Sequence, residues 1–304
     1  MSSIQGLLFP GQGAQFVGMG ADLYDKHPPA RDVYDRACDV LETDIRKLSF
    51  EGPEETLRQT RYTQPAILTH SLAVLAVLPE QKPAYAAGHS LGEYSALYAA
   101  GALDFDSVMK LVKRRAELMW EEGDRNPGTM AAIIGMPVED VEQLCRDVEG
   151  VVVPANYNEP AQTVVSGEVP AVEKAVALAT ERGATKAVML PVSGAFHSPL
   201  LEESGRSFAR FLDGFEISGP RFPVIANVSG MPVSTPDIIR DALSRQLTSP
   251  VCWTKTMTFA RDAGCTEFLE LGPGRVLMGL ARRIDRSLKV TPVGTADQVK
   301  ALLG

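Results

Sequence analysis

Cysteine is scarce and scattered in this chain. Its four positions, Cys38, Cys145, Cys252 and Cys265, show no C-x-x-C spacing and no clustering with histidine, which argues against a zinc signature and a disulfide framework. Long apolar runs are also missing. The longest, Leu72 to Leu78, is far too short for a bilayer span, and no basic segment followed by an apolar stretch opens the chain. Basic residues are in deficit: 30 Lys and Arg against 38 Asp and Glu give a net charge of −8, unlike a general nucleic-acid or anionic-membrane binder. Both common nucleotide-binding glycine loops are absent. Gly11-x-Gly13 is followed by Phe16 where G-x-G-x-x-G needs a glycine, and no G-x-x-x-x-G-K-[ST] occurs. A cytoplasmic protein is expected.

What remains is ordinary globular composition, 45% apolar and 22% charged, over 304 residues, enough for one large domain or two smaller ones. Ile4 to Phe9 reads as a buried strand stopped by Pro10-Gly11-Gln12-Gly13. Pro65 opens a buried helix, Ala66 to Leu78, closed by Pro79, and a further helix runs from Phe105 to Glu122 with Gly123 as its end signal. Between 129 and 190 the order becomes strand, helix, strand, strand, helix, strand, the ferredoxin-like pattern, with Gly123 to Gly128 as a linker ahead of it. Strand and helix signals then resume: Pro223 to Val228, Thr256 to Ala263, Cys265 to Leu271. The expected fold is α/β. An α/β-hydrolase-like large domain with a parallel sheet, residues 1–125 and 195–304, carries an inserted ferredoxin-like (βαββαβ) small domain, residues 126–194, and a cleft between them is the natural binding site.

The chemistry concentrates at Gly88-His89-Ser90-Leu91-Gly92. A small apolar run precedes it and a helix-forming stretch follows, so the order is strand, sharp turn, helix: the setting of a nucleophile elbow, with Ser90 as the candidate nucleophile. A serine nucleophile needs a base, and four histidines exist. His27 sits in a Lys-His-Pro-Pro turn, His70 lies in a buried helix, and His89 should point away from Ser90, which leaves His197 in the loop after the small domain. No carboxylate stands out to orient it, so a dyad oriented by a backbone carbonyl is an open alternative to a triad. Arg115 falls on the apolar stripe Val108, Leu111, Val112, Ala116, Met119. A buried guanidinium there requires either a protein carboxylate or a ligand anion. Gly11 and Gly13 allow a loop that aims a backbone N–H into the cleft.

Phe9-Pro10-Gly11-Gln12-Gly13-Ala14-Gln15, Gln64-Pro65-Ala66, Gly88-His89-Ser90-Leu91-Gly92-Glu93, Gly194-Ala195-Phe196-His197-Ser198 and the segment Gln246 to Trp253 occur in one order. Together they closely resemble the malonyl-CoA:acyl carrier protein transacylases, from the first strand to the end of the chain. The resemblance implies a malonylated Ser90, His197 as base, and Arg115 as the fork for the malonyl carboxylate. It further implies oxyanion-hole N–H groups from Gln12 and Leu91 and a main-chain carbonyl of Gln246 that orients the histidine. Asn156 would border the cleft near the carrier arm, and Phe196 would be the bulky residue that excludes a methylmalonyl group. The implied partners are malonyl-CoA and an acyl carrier protein, the implied reaction needs no metal or bound cofactor, the implied state is a monomer, and the implied pathway is fatty-acid synthesis. A trans-acting acyltransferase of a polyketide synthase, a serine acyl hydrolase and a non-catalytic carrier-binding scaffold are the alternatives. Arg282, Arg283, Arg286 and Lys289 form a candidate patch for an acidic carrier.

Overall fold

Ten strands fall into two separate sheets in the computed structural model, which describes residues 6–192 and 194–304. In chain order they are β1 (Gly6–Phe9), β2 (Tyr85–Gly88), β3 (Gly128–Ile134), β4 (Val152–Glu159), β5 (Gln162–Glu168), β6 (Lys186–Met189), β7 (Val224–Ile225), β8 (Pro232–Val233), β9 (Glu267–Leu271) and β10 (Lys289–Val293). The first sheet has the order β10-β9-β1-β2-β7-β8. All its pairs are parallel except β7–β8, so the expected parallel sheet ends in an antiparallel edge strand. The start of the first expected strand, Ile4 and Gln5, lies outside the described residues.

β1 and β2 are central because they are apolar on both faces, as a parallel strand covered by helices must be. Their register sets Phe9 beside Gly88, so the loop after β1 and the Ser90 turn leave the sheet side by side at its carboxyl edge. Ligands of open α/β sheets bind at that edge.

The second sheet, β4-β5-β3-β6, is antiparallel throughout. With the helices Val138–Asp147 and Val169–Glu181 it gives βαββαβ, the ferredoxin-like arrangement, around its own core of Ile133, Val141, Leu144, Val165 and Val172. β4 also reaches the large sheet's side of the molecule. Val251 N–H donates to Ala155 O, and Tyr157 N–H donates to Val251 O, both at 2.9 Å.

Several element boundaries differ from the sequence expectation. The buried helix runs Thr60–Val77, with Pro65 inside it and not at its start. Proline there removes only the bond to the Arg61 carbonyl, and the preceding turn is held by Thr63 Oγ1 donating to Leu57 O at 2.5 Å. The helix Phe105–Arg125 continues through Gly123, because Arg125 pairs with Glu121 at 3.3 Å and the Asn126 N–H closes on Glu122 O. The expected linker of Gly123 to Gly128 therefore shrinks to Asn126 and Pro127. At the carboxyl side, the helix expected from Thr256 begins at Trp253, and the strand expected over Pro223 to Val228 is only Val224–Ile225.

Candidate active site

Ser90 occupies a turn that glycine alone permits on either side. A Cβ on Gly88 would collide with the Gly92 backbone, and one on Gly92 would collide with the Phe9 carbonyl, so strand, turn and the helix Gly92–Ala99 close tightly around the serine. Ser90 itself sits at φ 51, in the left-handed region that a non-glycine residue rarely adopts. His197 has φ 57, so both residues face each other from strained backbone. Ser90 Oγ lies 2.7 Å from His197 Nε2.

The other ring nitrogen fixes the tautomer. Nδ1 of His197 lies 3.0 Å from Gln246 O and 3.1 Å from Ser249 O, and a carbonyl can only accept, so Nδ1 carries the proton and Nε2 is free to take the Ser90 proton. No carboxylate of the described residues bonds to the ring. Burial, reinforced by the Arg115 charge, pulls the His197 pKa down to about 3, which keeps the imidazole neutral.

Arg115 is completely buried, yet among the described residues it forms no ion pair. Neutral oxygens hold it. Nε donates to Gln246 Oε1 at 3.2 Å, Nη1 to Gln64 Oε1 at 2.6 Å and Nη2 to Ser90 Oγ at 3.0 Å. A guanidinium has five N–H donors, so one N–H on each Nη remains for a ligand, the pattern a planar carboxylate accepts. The requirement for a buried countercharge is thus unmet by the protein at bonding distance; the Glu93 carboxyl is linked to Arg115 only through the Gln246 amide.

Gln12, Leu91, Asn156 and Phe196 line one cavity of about 110 Å³ together with Ser90, Arg115 and His197. That volume equals about four liquid waters, room for an acyl group of a few atoms. Among the described residues the Gln12 and Leu91 N–H groups donate to no protein acceptor, which leaves them available to an oxyanion. A cavity of about 370 Å³, lined by Phe16, Arg58 and Pro191, shares Gln12, Leu190 and Val192 with it and opens the way to solvent. The larger cavity of about 630 Å³ beside Tyr98 and Arg221 contains none of these groups.

The remaining histidines make no bond to Ser90, although His89 borders the same cavity. His89 packs against Trp253 at a tilt, with ring centroids 5.4 Å apart, and donates from Nε2 to Asn158 Oδ1 at 2.8 Å. His70 is buried, with Nε2 3.0 Å from Gly294 O. Arg282, Arg283, Arg286 and Lys289 lie exposed at and beyond the end of the helix Val276–Ile284, away from the cavity lining.

Sequence reasoning missed four contributors: Gln64, Glu93, Asn227 and Ser249. Gln64 and Glu93 stood inside recognised motifs without a role of their own. Asn227 stands just past β7, at the carboxyl end of a parallel strand, and that position alone could have marked it. Ser249 acts through a carbonyl, which no side-chain pattern reveals.

The family described as acyl transferase domain matches residues 7–299. Among curated proteins, the malonyl CoA-acyl carrier protein transacylase of Bacillus subtilis is 43% identical over 298 residues, covering 96% of this chain and 94% of that protein. Among solved structures, an acyl carrier protein S-malonyltransferase of Vibrio cholerae superposes with a TM-score of 0.95 at 41% identity, covering 99% of this chain and all of that one (100%). A malonyl-transacylase solved in complex with its type II PKS acyl-carrier protein gives a TM-score of 0.96 at 40% identity, with 99% of both chains covered.

Proposed function

This chain belongs to the acyl transferase domain family, among the malonyl-CoA:acyl carrier protein transacylases, and we propose that it works through a malonyl-Ser90 intermediate. Its reaction is transfer of malonyl from malonyl-CoA to an acyl carrier protein. The observation that carries the proposed mechanism is the position of Ser90 Oγ between His197 Nε2 and Arg115 Nη2.

In the first half-reaction Ser90 Oγ attacks the malonyl thioester carbonyl while Nε2 of His197 takes its proton. The oxyanion that forms is met by the Gln12 and Leu91 N–H groups. As the tetrahedral intermediate collapses the C–S bond breaks, and the imidazolium returns the proton to the coenzyme A thiolate. The carrier's phosphopantetheine thiol then repeats the sequence: it gives its proton to His197, attacks the ester, and Ser90 leaves as the alcohol. Exchange of one thioester for another through an ester calls on no redox or metal chemistry, so no cofactor is required. Positioning and exclusion of water carry the rate.

The two N–H groups that Arg115 has free would fork the malonyl carboxylate and fix the carbonyl over Ser90. The pantetheine arm of either substrate would come in past Phe16 and Leu190, with Asn156 at the inner wall. Docking of an acidic carrier on Arg282, Arg283, Arg286 and Lys289 completes the reading, with a cytoplasmic monomer divided into 1–125 with 195–304 and 126–194. No helix among the described residues is long and apolar enough to cross a membrane.

A carrier of fatty-acid synthesis is the proposed acceptor. The relative bound to a PKS carrier makes a polyketide carrier the second reading. Incubation with radiolabelled malonyl-CoA, alone and with each kind of carrier protein, tests all of this: transfer is expected, release of free malonate would indicate a hydrolase, and no turnover would indicate a scaffold.

A further inference from the structure

The Ser90 N–H lies in the sharp turn between β2 and the helix Gly92–Ala99 and donates to no main-chain acceptor among the described residues, so it needs a partner from elsewhere. Asn227 supplies it. Its Oδ1 accepts the Ser90 N–H at 2.6 Å, while its Nδ2 donates to Gly88 O at 2.7 Å, so one amide spans both sides of the turn. The orientation is forced, because an N–H can only donate and a carbonyl can only accept.

Asn227 is itself pinned. Its main-chain N–H donates to Glu93 Oε2 at 3.2 Å, and the same oxygen accepts Gln246 Nε2 at 2.6 Å. That Nε2 also donates to Ser90 O at 3.1 Å. Gln246 in turn accepts from Arg115 through its side chain and from His197 through its carbonyl. All three residues are buried, and none of Asn227, Glu93 and Gln246 lines the cavity, so none would touch substrate.

We propose that Asn227, braced by Glu93, is a positioning residue for acyl transfer, which holds Ser90 in its strained conformation with Oγ aimed at His197. This rests on the reading of Ser90 as the nucleophile. It accounts for a buried amide and a buried carboxylate that the chemistry does not otherwise use. Because Asn227 occupies the Ser90 N–H, that group is withdrawn from the oxyanion and the Leu91 N–H is left to serve it. A misplacement of about 1 Å at a reacting atom costs on the order of 100-fold in rate, and this sets the expected effect.

The test compares the full-length protein with its Asn227→Ala and Asn227→Asp variants. Four quantities are measured: kcat and KM for malonyl-CoA with carrier protein, the rate of Ser90 labelling by phenylmethylsulfonyl fluoride, and the melting temperature, with the rates taken per folded molecule. Asn227→Ala should lower kcat about 100-fold with KM for malonyl-CoA little changed, since Arg115 still meets the carboxylate, and labelling should slow in parallel. Asn227→Asp keeps the acceptor for the Ser90 N–H and loses the donor to Gly88 O, so it should fall between; it also carries the test if the alanine variant does not fold. Glu93→Gln, whose amide oxygen still accepts, should recover part of what Glu93→Ala loses. A lower melting temperature with unchanged kcat and labelling would overturn the proposal. So would a rise in KM alone. Malonylation of the wild-type protein at a residue other than Ser90 would instead remove the reading beneath it, whatever the variants do.

Discussion

Nη2 of Arg115 stands 3.0 Å from Oγ of Ser90, the same atom that lies 2.7 Å from His197 Nε2. The residue proposed to bind the substrate's charge therefore also touches the attacking oxygen. A cation at that distance stabilises the negative charge that develops on Oγ as its proton leaves. It also depresses the His197 pKa, so the three groups form one electrostatic unit and their substitutions will not add.

Arg115→Ala is expected to lower malonyl transfer by at least about 100-fold, since it removes both the fork and the contact to Oγ. Stability should fall by roughly 1–3 kcal/mol for each of the two neutral amide oxygens left unpaired, with no carboxylate orphaned at bonding distance. Arg115→Lys should recover only part of the activity, as an ammonium cannot form the planar fork. The ratio of acetyl to malonyl transfer should rise in Arg115→Ala, and a competition assay reads it directly. An unchanged ratio would show that the carboxylate binds elsewhere.

Ser90→Ala should abolish the malonyl adduct while the fold persists, since alanine keeps the backbone bonds of the turn. Intact-protein mass spectrometry after exposure to malonyl-CoA is the check. A malonyl mass on that variant would relocate the nucleophile.

His197 provides a pH prediction with a definite sign. Its folded pKa of about 3 lies below the ordinary 6.5, so the base stays neutral well into acid, and the loss of acylation attributable to it should appear far below pH 6.5. For stability, the unfolded chain takes up this proton as pH falls through 6.5 and the folded chain does not, so His197 costs stability progressively from 6.5 down towards 3. Urea unfolding from pH 7 to pH 4 should show a shallower decline in His197→Ala than in the wild type. Glu93 works in the other direction. Burial raises its pKa to about 7 from 4.5, against the hydrogen bonds from Gln246 and Asn227, so its contribution falls as pH rises from 4.5 to 7. The two are separated by their single variants.

Phe196 is buried against the cavity that holds Ser90, and a branched acyl group must find room there. Phe196→Ser should raise methylmalonyl relative to malonyl transfer, by about 10-fold for space equivalent to one methyl group. Equal preference before and after the change, measured by competition of the two CoA esters, would place the α-carbon elsewhere.

Local order along the chain determined much of this protein. The strand, sharp turn and helix around Ser90 are legible because glycine at 88 and 92 and a small apolar approach admit few other backbones. The βαββαβ unit is legible because its apolar periods are short and distinct, and Arg115 because one charge in an apolar stripe is conspicuous at helical spacing. Helix ends were less legible: Gly123 and Pro65 both read as boundaries, while tertiary burial and neighbouring side-chain bonds carried the helices past them. Only the folded chain decided what surrounds Ser90. Asn227 lies 137 residues from it, Gln246 lies 156 away, and the orienting partners of His197 are two carbonyls 49 and 52 residues on. Main-chain groups are the same in every residue, so residue chemistry alone cannot say which carbonyl will accept a proton donor: the family resemblance pointed to Gln246 and nothing pointed to Ser249, and the packing of the segment after Gln246 against β4 and the elbow makes that choice.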